Sequence, residues 1–390
     1  MRVLNRRQYY FHLLGLQSPT TRTNRKMNAL VKSFSADVVD ALSFPHFVQV
    51  GNNLFAAKFD LMKFTPAKYI LDTALRSGQL RAGGHVIESS SGTFALALSI
   101  LCSLYDLRLT LVTGPTSEIV RWRLENLGAV LHQVSASNNC EGGIQQARLN
   151  VLTDLRTLNP GSFWPQQYTN PLNSLSYRPV AERALVMQPK INAIVGTVGS
   201  GGSLFGIASV LQRENPDLEV IAVDHNRSVI FGAQAKRISK MCRETFEQIL
   251  AMGAGIPMGN VNFELCDEVH WVPVPKMVQK VHDFHQRTGM LVGPSSGAAL
   301  AVAEWRAARD PSQNVLTILP DHGVRYVETM FNPGWLNNWN QDLIREWQGP
   351  EDISSLEEVS EGWCRIKWGR RTYREVAGGD PAPRPAGYNP

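Results

Sequence analysis

At 390 residues the chain is too long for one ordinary domain and suits two, each burying its own core. Hydrophobic residues at 43% and charged residues at 19% fit a globular protein, which excludes a disordered or fibrous one. The net charge of +5 does not indicate a nucleic-acid partner, because it is concentrated in a tail.

That tail comes first. Residues 1–36 carry seven basic side chains (Arg2, Arg6, Arg7, Arg22, Arg25, Lys26, Lys32) and no acidic one, so 32 of the 39 basic residues face 34 acidic ones in the rest of the chain. Three readings stay open: a transit peptide, an over-long start before Met27, or an ordered extension docking through Tyr9, Tyr10, Phe11, Leu13 and Leu14.

The elements then alternate. A helix from Pro66 to Ser77 ends at Gly78, and the strand His85–Ile87 leads into Ser89-Ser90-Ser91-Gly92. A helix at Phe94–Leu104, a strand at Leu109–Thr113, a helix at Glu118–Leu127 and a strand at Ala129–Val134 follow. After Pro171 come the strand Ile191–Val198, the glycine loop Gly199–Ser203, the helix Leu204–Glu214 and the strand Glu219–Val223. The strand Val269–Val272, a helix from Lys276 to Arg287, the loop Gly293–Gly297, a helix to Ala308 and the strand Val315–Leu319 complete the series. This β-α alternation predicts an α/β fold of parallel sheets flanked by helices.

The predicted division is an N-terminal extension at 1–36, an N-terminal α/β domain at 62–170, a C-terminal α/β domain from 37–61 and 171–340, and a C-terminal extension at 341–390. The Pro- and Gly-rich end, Gly378 to Pro390, reads as disordered. The most apolar stretch, Phe94 to Tyr105, is far shorter than the roughly 20 residues of a membrane span, so no membrane association is expected. Five scattered cysteines without a CxxC pair point to a reducing cytoplasm, and no cluster has metal-ligand spacing.

Three loops carry chemistry. Gly199-Ser200-Gly201-Gly202-Ser203 joins a strand to a helix, where converging amides and a helix N-terminus suit a phosphate; the alternative is a tight turn. Leu204 occupies the third-glycine position, so a dinucleotide fingerprint fails, and no GK[ST] follows. Ser90-Ser91-Gly92-Thr93 offers amides and hydroxyls to a carboxylate, or simply caps a helix. Gly293-Pro294-Ser295-Ser296-Gly297-Ala298-Ala299 opens a small-residue helix, for function or for close packing.

Together, in this order and spacing, the loops resemble the cysteine synthase and cystathionine β-synthase family, the fold-type II pyridoxal-phosphate enzymes. The similarity runs from about Asp40 to Leu336. The resemblance implies pyridoxal 5′-phosphate as cofactor, its phosphate on Gly199–Ser203, Ser295 facing the pyridine nitrogen, and Thr93 in the place of an asparagine that meets the cofactor. It puts the substrate carboxylate on Ser90, Ser91, Gly92 and Thr93, with Gln167 of Gln166-Gln167-Tyr168-Thr169-Asn170 beside it.

Lys63 and Lys68 compete as the attachment lysine; the family's lysine precedes the loop serine by 28 residues, and counting back from Ser91 gives Lys63. Met62–Ile70, Ala222-Val223-Asp224 with Ser228–Gly232, and Ile318–Asp321 with Arg325-Tyr326 are similar to the siderophore-pathway synthases that join O-phosphoserine to glutamate on the way to 2,3-diaminopropionate. Arg148, after Gly142-Gly143, aligns with an arginine that meets a substrate phosphate or carboxylate, or else lies on a surface helix. Two departures stand out: Thr93 for asparagine, and the absence of the N-P-x-G-S loop, so that Asp60-Leu61-Met62 runs straight into Lys63-Phe64-Thr65.

The implied activity is β-replacement on an O-activated L-serine, with Lys63 as attachment residue and then base, and a cytoplasmic homodimer acting on small amino acids. The alternatives are a deaminase or dehydratase of the same fold and a non-catalytic binding protein that kept it. The departures around Lys63 and Thr93 favour the last; retention of Lys63, the glycine loop and Ser295 opposes it.

Overall fold

A hairpin that the alternation did not reveal starts the fold: His46–Gln49 (β1) pairs antiparallel with Leu54–Lys58 (β2). The computed structural model describes residues 38–135, 143–188, 190–233, 252–337 and 346–381. The basic extension at 1–36, Gly142, Cys140, Cys242 and the last residues of the C-terminal tail lie outside them.

The chain continues through Phe64–Ser77 (α1), His85–Ser89 (β3), Thr93–Leu104 (α2), Arg108–Thr113 (β4), Glu118–Asn126 (α3), Ala129–Gln133 (β5) and Gly143–Leu158 (α4). Next are Arg178–Met187 (α5), Ala193–Thr197 (β6), Gly202–Glu214 (α6), Glu219–Asp224 (β7), Glu268–Trp271 (β8), Val274–Thr288 (α7), Pro294–Arg309 (α8) and Val315–Leu319 (β9). Two short strands, Glu351–Asp352 (β10) and Cys364–Lys367 (β11), follow, and a short helix, Tyr373–Ala377, comes after them.

Among the described residues the strands make two sheets: β3-β4-β5, all parallel, and an eight-stranded sheet in the order β1-β2-β9-β6-β7-β8-β11-β10. The centre of the large sheet is parallel, from β2 through β9, β6 and β7 to β8. Its inner strands read AIVGT and VLTIL and are buried at every position, as strands covered on both faces must be. Each large side chain there adds about 1.5–3 kcal/mol by leaving water. Sequence patterning identified these elements because the apolar runs are short and bounded by glycine or proline. Gly78 closes α1 at φ 76°, a left-handed cap that costs glycine little.

The segment Gly293–Gly297, expected as a loop, is helical from Pro294 on: Gly293 is the extended cap and Pro294 the first position of α8, where its missing N–H costs nothing. A Cβ on Gly297 would lie 2.2 Å from the Met277 carbonyl, so the small residues also let α7 and α8 touch. Beyond β8, the last described segment enters the sheet. There β11 runs antiparallel to β8, and Arg365 grips Asp352 with two hydrogen bonds of 2.6 and 2.8 Å while reaching Glu268 at 3.2 Å. Trp363 and Trp368, on either side of β11, are buried.

Candidate active site

Lys63 stands immediately before α1, where pairing with β9 delivers it. The absent loop is replaced by continued contact: the Phe59 and Met62 amides each donate to β9-side carbonyls, of Leu319 and Pro320, at 2.9 Å. The Lys63 ammonium then reaches across to the glycine loop and donates to Ser200 Oγ at 2.9 Å. Burial pushes it down to about 8, because few groups there replace the lost hydration of a charged amine. Lys68 lies one turn further along α1 and is tied to Asp72 at 2.6 Å, away from the loop.

The carboxylate loop sits at the carboxyl end of β3. Ser90 Oγ accepts from the amides of Gly92 (3.4 Å) and Ala95 (3.2 Å) at the start of α2, which leaves its own proton for an acceptor. Ser91 faces the other way, accepting from the Gly114 amide and from Arg148 Nη1, both at 2.7 Å. Gly92 and Thr93 are half-buried at the helix start. Arg148, on α4, is buried, and no carboxylate lies within ion-pair distance of it among the described residues. Its Nε has no partner there. A surface-helix reading of Arg148 therefore fails.

Glu88, which the motifs did not single out, underpins this loop. It is buried at the last turn of β3, accepting from the Ser89 amide (2.7 Å), Trp164 Nε1 (3.0 Å) and the Gln167 amide (3.3 Å). Desolvation raises it to about 7 despite those bonds. A charged residue in the otherwise apolar run His85–Ser89 was its only sequence signal. Gln167 is buried beside it, with Nε2 3.4 Å from the Ser89 carbonyl.

The glycine loop precedes α6. Gly201 has φ +86°, and a Cβ there would lie 2.7 Å from the Asn260 backbone; on Gly202 it would lie 2.1 Å from Asn173 Oδ1. Only glycines fit, and the loop amides thereby gather at a helix N-terminus. Ser200 and Ser203 are buried, while Gly199 is uncrowded, its nearest neighbour 4.0 Å away. Asn173 and Asn260, both missed as turn residues in the sequence, donate to the Gln167 carbonyl at 2.7 and 3.2 Å.

These residues fit a phosphate-bearing pyridine. The glycine cradle closes on a small anion, and Ser295 Oγ, 1% exposed on the first turn of α8, has no hydrogen-bond partner among the described residues. A buried hydroxyl without a partner is costly unless a ligand meets it. Lys63, Ser200, Asn173, Gln167 and Glu88 form one hydrogen-bonded chain from the cradle to the carboxylate loop.

Comparison with known proteins agrees. Two N-(2-amino-2-carboxyethyl)-L-glutamate synthases are each 31% identical to this chain: that of Ralstonia nicotianae over 280 residues and that of Cupriavidus metallidurans over 288, each alignment covering 70% of this chain and 80% of the relative. Among solved structures, O-ureido-L-serine synthase superposes with a TM-score of 0.67 at 21% identity, over 78% of this chain and 99% of its own. Isoform 3 of O-acetylserine sulfhydrylase from Entamoeba histolytica gives 0.67 at 19%, over 84% and 100%. At those identities the structures establish the α/β fold. Residues 62–321 match the family described as "Pyridoxal-phosphate dependent enzyme", and the chain belongs to that family.

Proposed function

We propose that this enzyme carries out β-replacement on an O-activated L-serine, joining the β-carbon to a nucleophile to form a cysteine-like or diaminopropionate-type amino acid. The observation that carries the reading is the position of the Lys63 amine, 2.9 Å from Ser200 at the mouth of the glycine cradle. Bound there, pyridoxal 5′-phosphate supplies the electron sink that makes loss of the β-substituent possible. Gly199–Ser203 would hold its phosphate, and Ser295 would offer its ring nitrogen a neutral partner, which would favour elimination over transamination.

The protein's own groups do the rest. The substrate carboxylate rests on Ser90, Ser91, Gly92 and Thr93 with Gln167 beside it, and the positive end of α2 favours it. Lys63 would take the Cα proton at Nζ; an amine held near 8 is a competent base close to neutral pH. Arg148 takes a negatively charged leaving group, which makes O-phosphoserine the preferred donor. The relatives named as N-(2-amino-2-carboxyethyl)-L-glutamate synthases support an amino-acid nucleophile. The finer expectations, a cytoplasmic homodimer in siderophore-type biosynthesis with domains at 62–170 and at 37–61 plus 171–340, belong to the same reading. Membership of β1 and β2 in the large sheet supports that division.

The test is to incubate the holoenzyme with O-phosphoserine or O-acetylserine, with and without glutamate or a thiol, and identify the products by mass spectrometry. A new carbon–nitrogen or carbon–sulfur product supports replacement. Pyruvate and ammonia alone, whatever nucleophile is present, would mean a deaminase. No turnover and no cofactor content would mean a binding protein.

A further inference from the structure

Asn173 has no place in the reading above, yet it is fully buried between the two halves of the site. Its Nδ2 donates to the Gln167 carbonyl at 2.7 Å and to Ser200 Oγ at 3.1 Å. The first contact settles which way the amide faces: a carbonyl only accepts, so nitrogen and not oxygen must point at it. The second contact then fixes the polarity of Ser200. A hydroxyl has two acceptor sites and one proton. At Ser200 Oγ the acceptor sites are met by Asn173 Nδ2 and by the protonated Lys63 Nζ, both of which donate there. The Ser200 proton is therefore left for an acceptor entering the glycine loop.

We propose that Asn173 is a positioning residue that makes Ser200 a hydrogen-bond donor to the cofactor phosphate, an inference that rests on the glycine loop being the phosphate cradle. When Lys63 leaves Ser200 to react, Asn173 keeps the hydroxyl in the same orientation. The role differs from plain packing in one respect: it acts only through Ser200 and only on a phosphate.

The test uses the full chain freed of cofactor and titrated, by ligand fluorescence, with 4-deoxypyridoxine 5′-phosphate, which cannot bond to Lys63, and with 4-deoxypyridoxine, which has no phosphate. Asn173→Ala and Ser200→Ala are each expected to weaken the phosphate compound about tenfold and the other less than about twofold. The double variant should bind like Ser200→Ala alone, because the partner through which Asn173 acts is already gone. If Asn173→Ala does not fold, Asn173→Asp serves; a carboxylate would accept the Ser200 proton and turn the lone pairs toward the phosphate, with a loss greater than tenfold. Equal losses for both compounds, or a further tenfold loss in the Ser200→Ala background, would overturn the inference. Gly201→Asp separates the underlying reading: if it leaves the phosphate affinity unchanged, the cradle itself is wrong. If it abolishes binding while Asn173→Ala changes nothing, only the role of Asn173 is wrong.

Discussion

Arg148 Nη1 donates to Ser91 Oγ at 2.7 Å, bringing a buried guanidinium from α4 to the second residue of the carboxylate loop. A buried cation with no carboxylate beside it among the described residues is well placed to receive an incoming anion. Arg148→Ala should lower kcat/KM for O-phosphoserine by about 10- to 150-fold, the equivalent of about 1.5–3 kcal/mol for a lost charged hydrogen bond. The loss for O-acetylserine should be several times smaller. Parallel steady-state kinetics with the two donors decide it, and equal losses would make Arg148 structural.

Lys63 gives a pH prediction. Its folded-state value of about 8 is below the ordinary 10.5, so between those values the unfolded chain binds more protons. The penalty for burying the ammonium is complete below pH 8 and is relieved as pH rises to 10.5. In the cofactor-free protein this group should make Tm rise across that window, and Lys63→Met should remove that contribution. Borohydride reduction of the holoenzyme followed by peptide mapping should label Lys63. A label on Lys68 would reverse the assignment.

Glu88 has the opposite sign. Burial raises it from 4.5 to about 7, so the folded state binds more protons in that interval. Its contribution to stability is complete below pH 4.5 and is lost as pH rises through 7. Glu88→Gln should flatten Tm against pH over that range. It should also raise KM for the serine donor several-fold, because an amide cannot accept from Ser89, Trp164 and Gln167 together. Unchanged KM would confine Glu88 to packing.

The two glycines Gly199 and Gly202 should respond differently. A methyl group on Gly202 would lie 2.1 Å from Asn173 Oδ1, whereas on Gly199 the nearest atom is 4.0 Å away. Gly202→Ala should cost about 1–3 kcal/mol and most of the bound cofactor. Gly199→Ala should stay within about 0.5 kcal/mol of the parent. Thermal unfolding and cofactor content measure both.

How much of this was legible in the sequence depended on the kind of signal. Strands such as Val315–Leu319 and the cap at Gly78 were readable because apolar periodicity and glycine conformation are local. Lys63 was separable from Lys68 by spacing, and the fold places its amine at the cradle. Asn173 and Asn260 were invisible, since an asparagine in a turn and one in a buried network look alike until the chain folds. The hairpin β1–β2 was missed because its strands are only four and five residues long.

The pairing of β11 with β8 sets a limit on how far the protein can be shortened. The family match ends at residue 321, but cutting there would strip the outer ladder from β8 and lay bare a flat, fully buried strand edge together with the surfaces under Trp363 and Trp368. An uncovered edge of that kind templates intermolecular strand pairing. A chain trimmed to the recognisable homology should therefore precipitate, and any ancestor that lacked this tail needed another way to shield the same border.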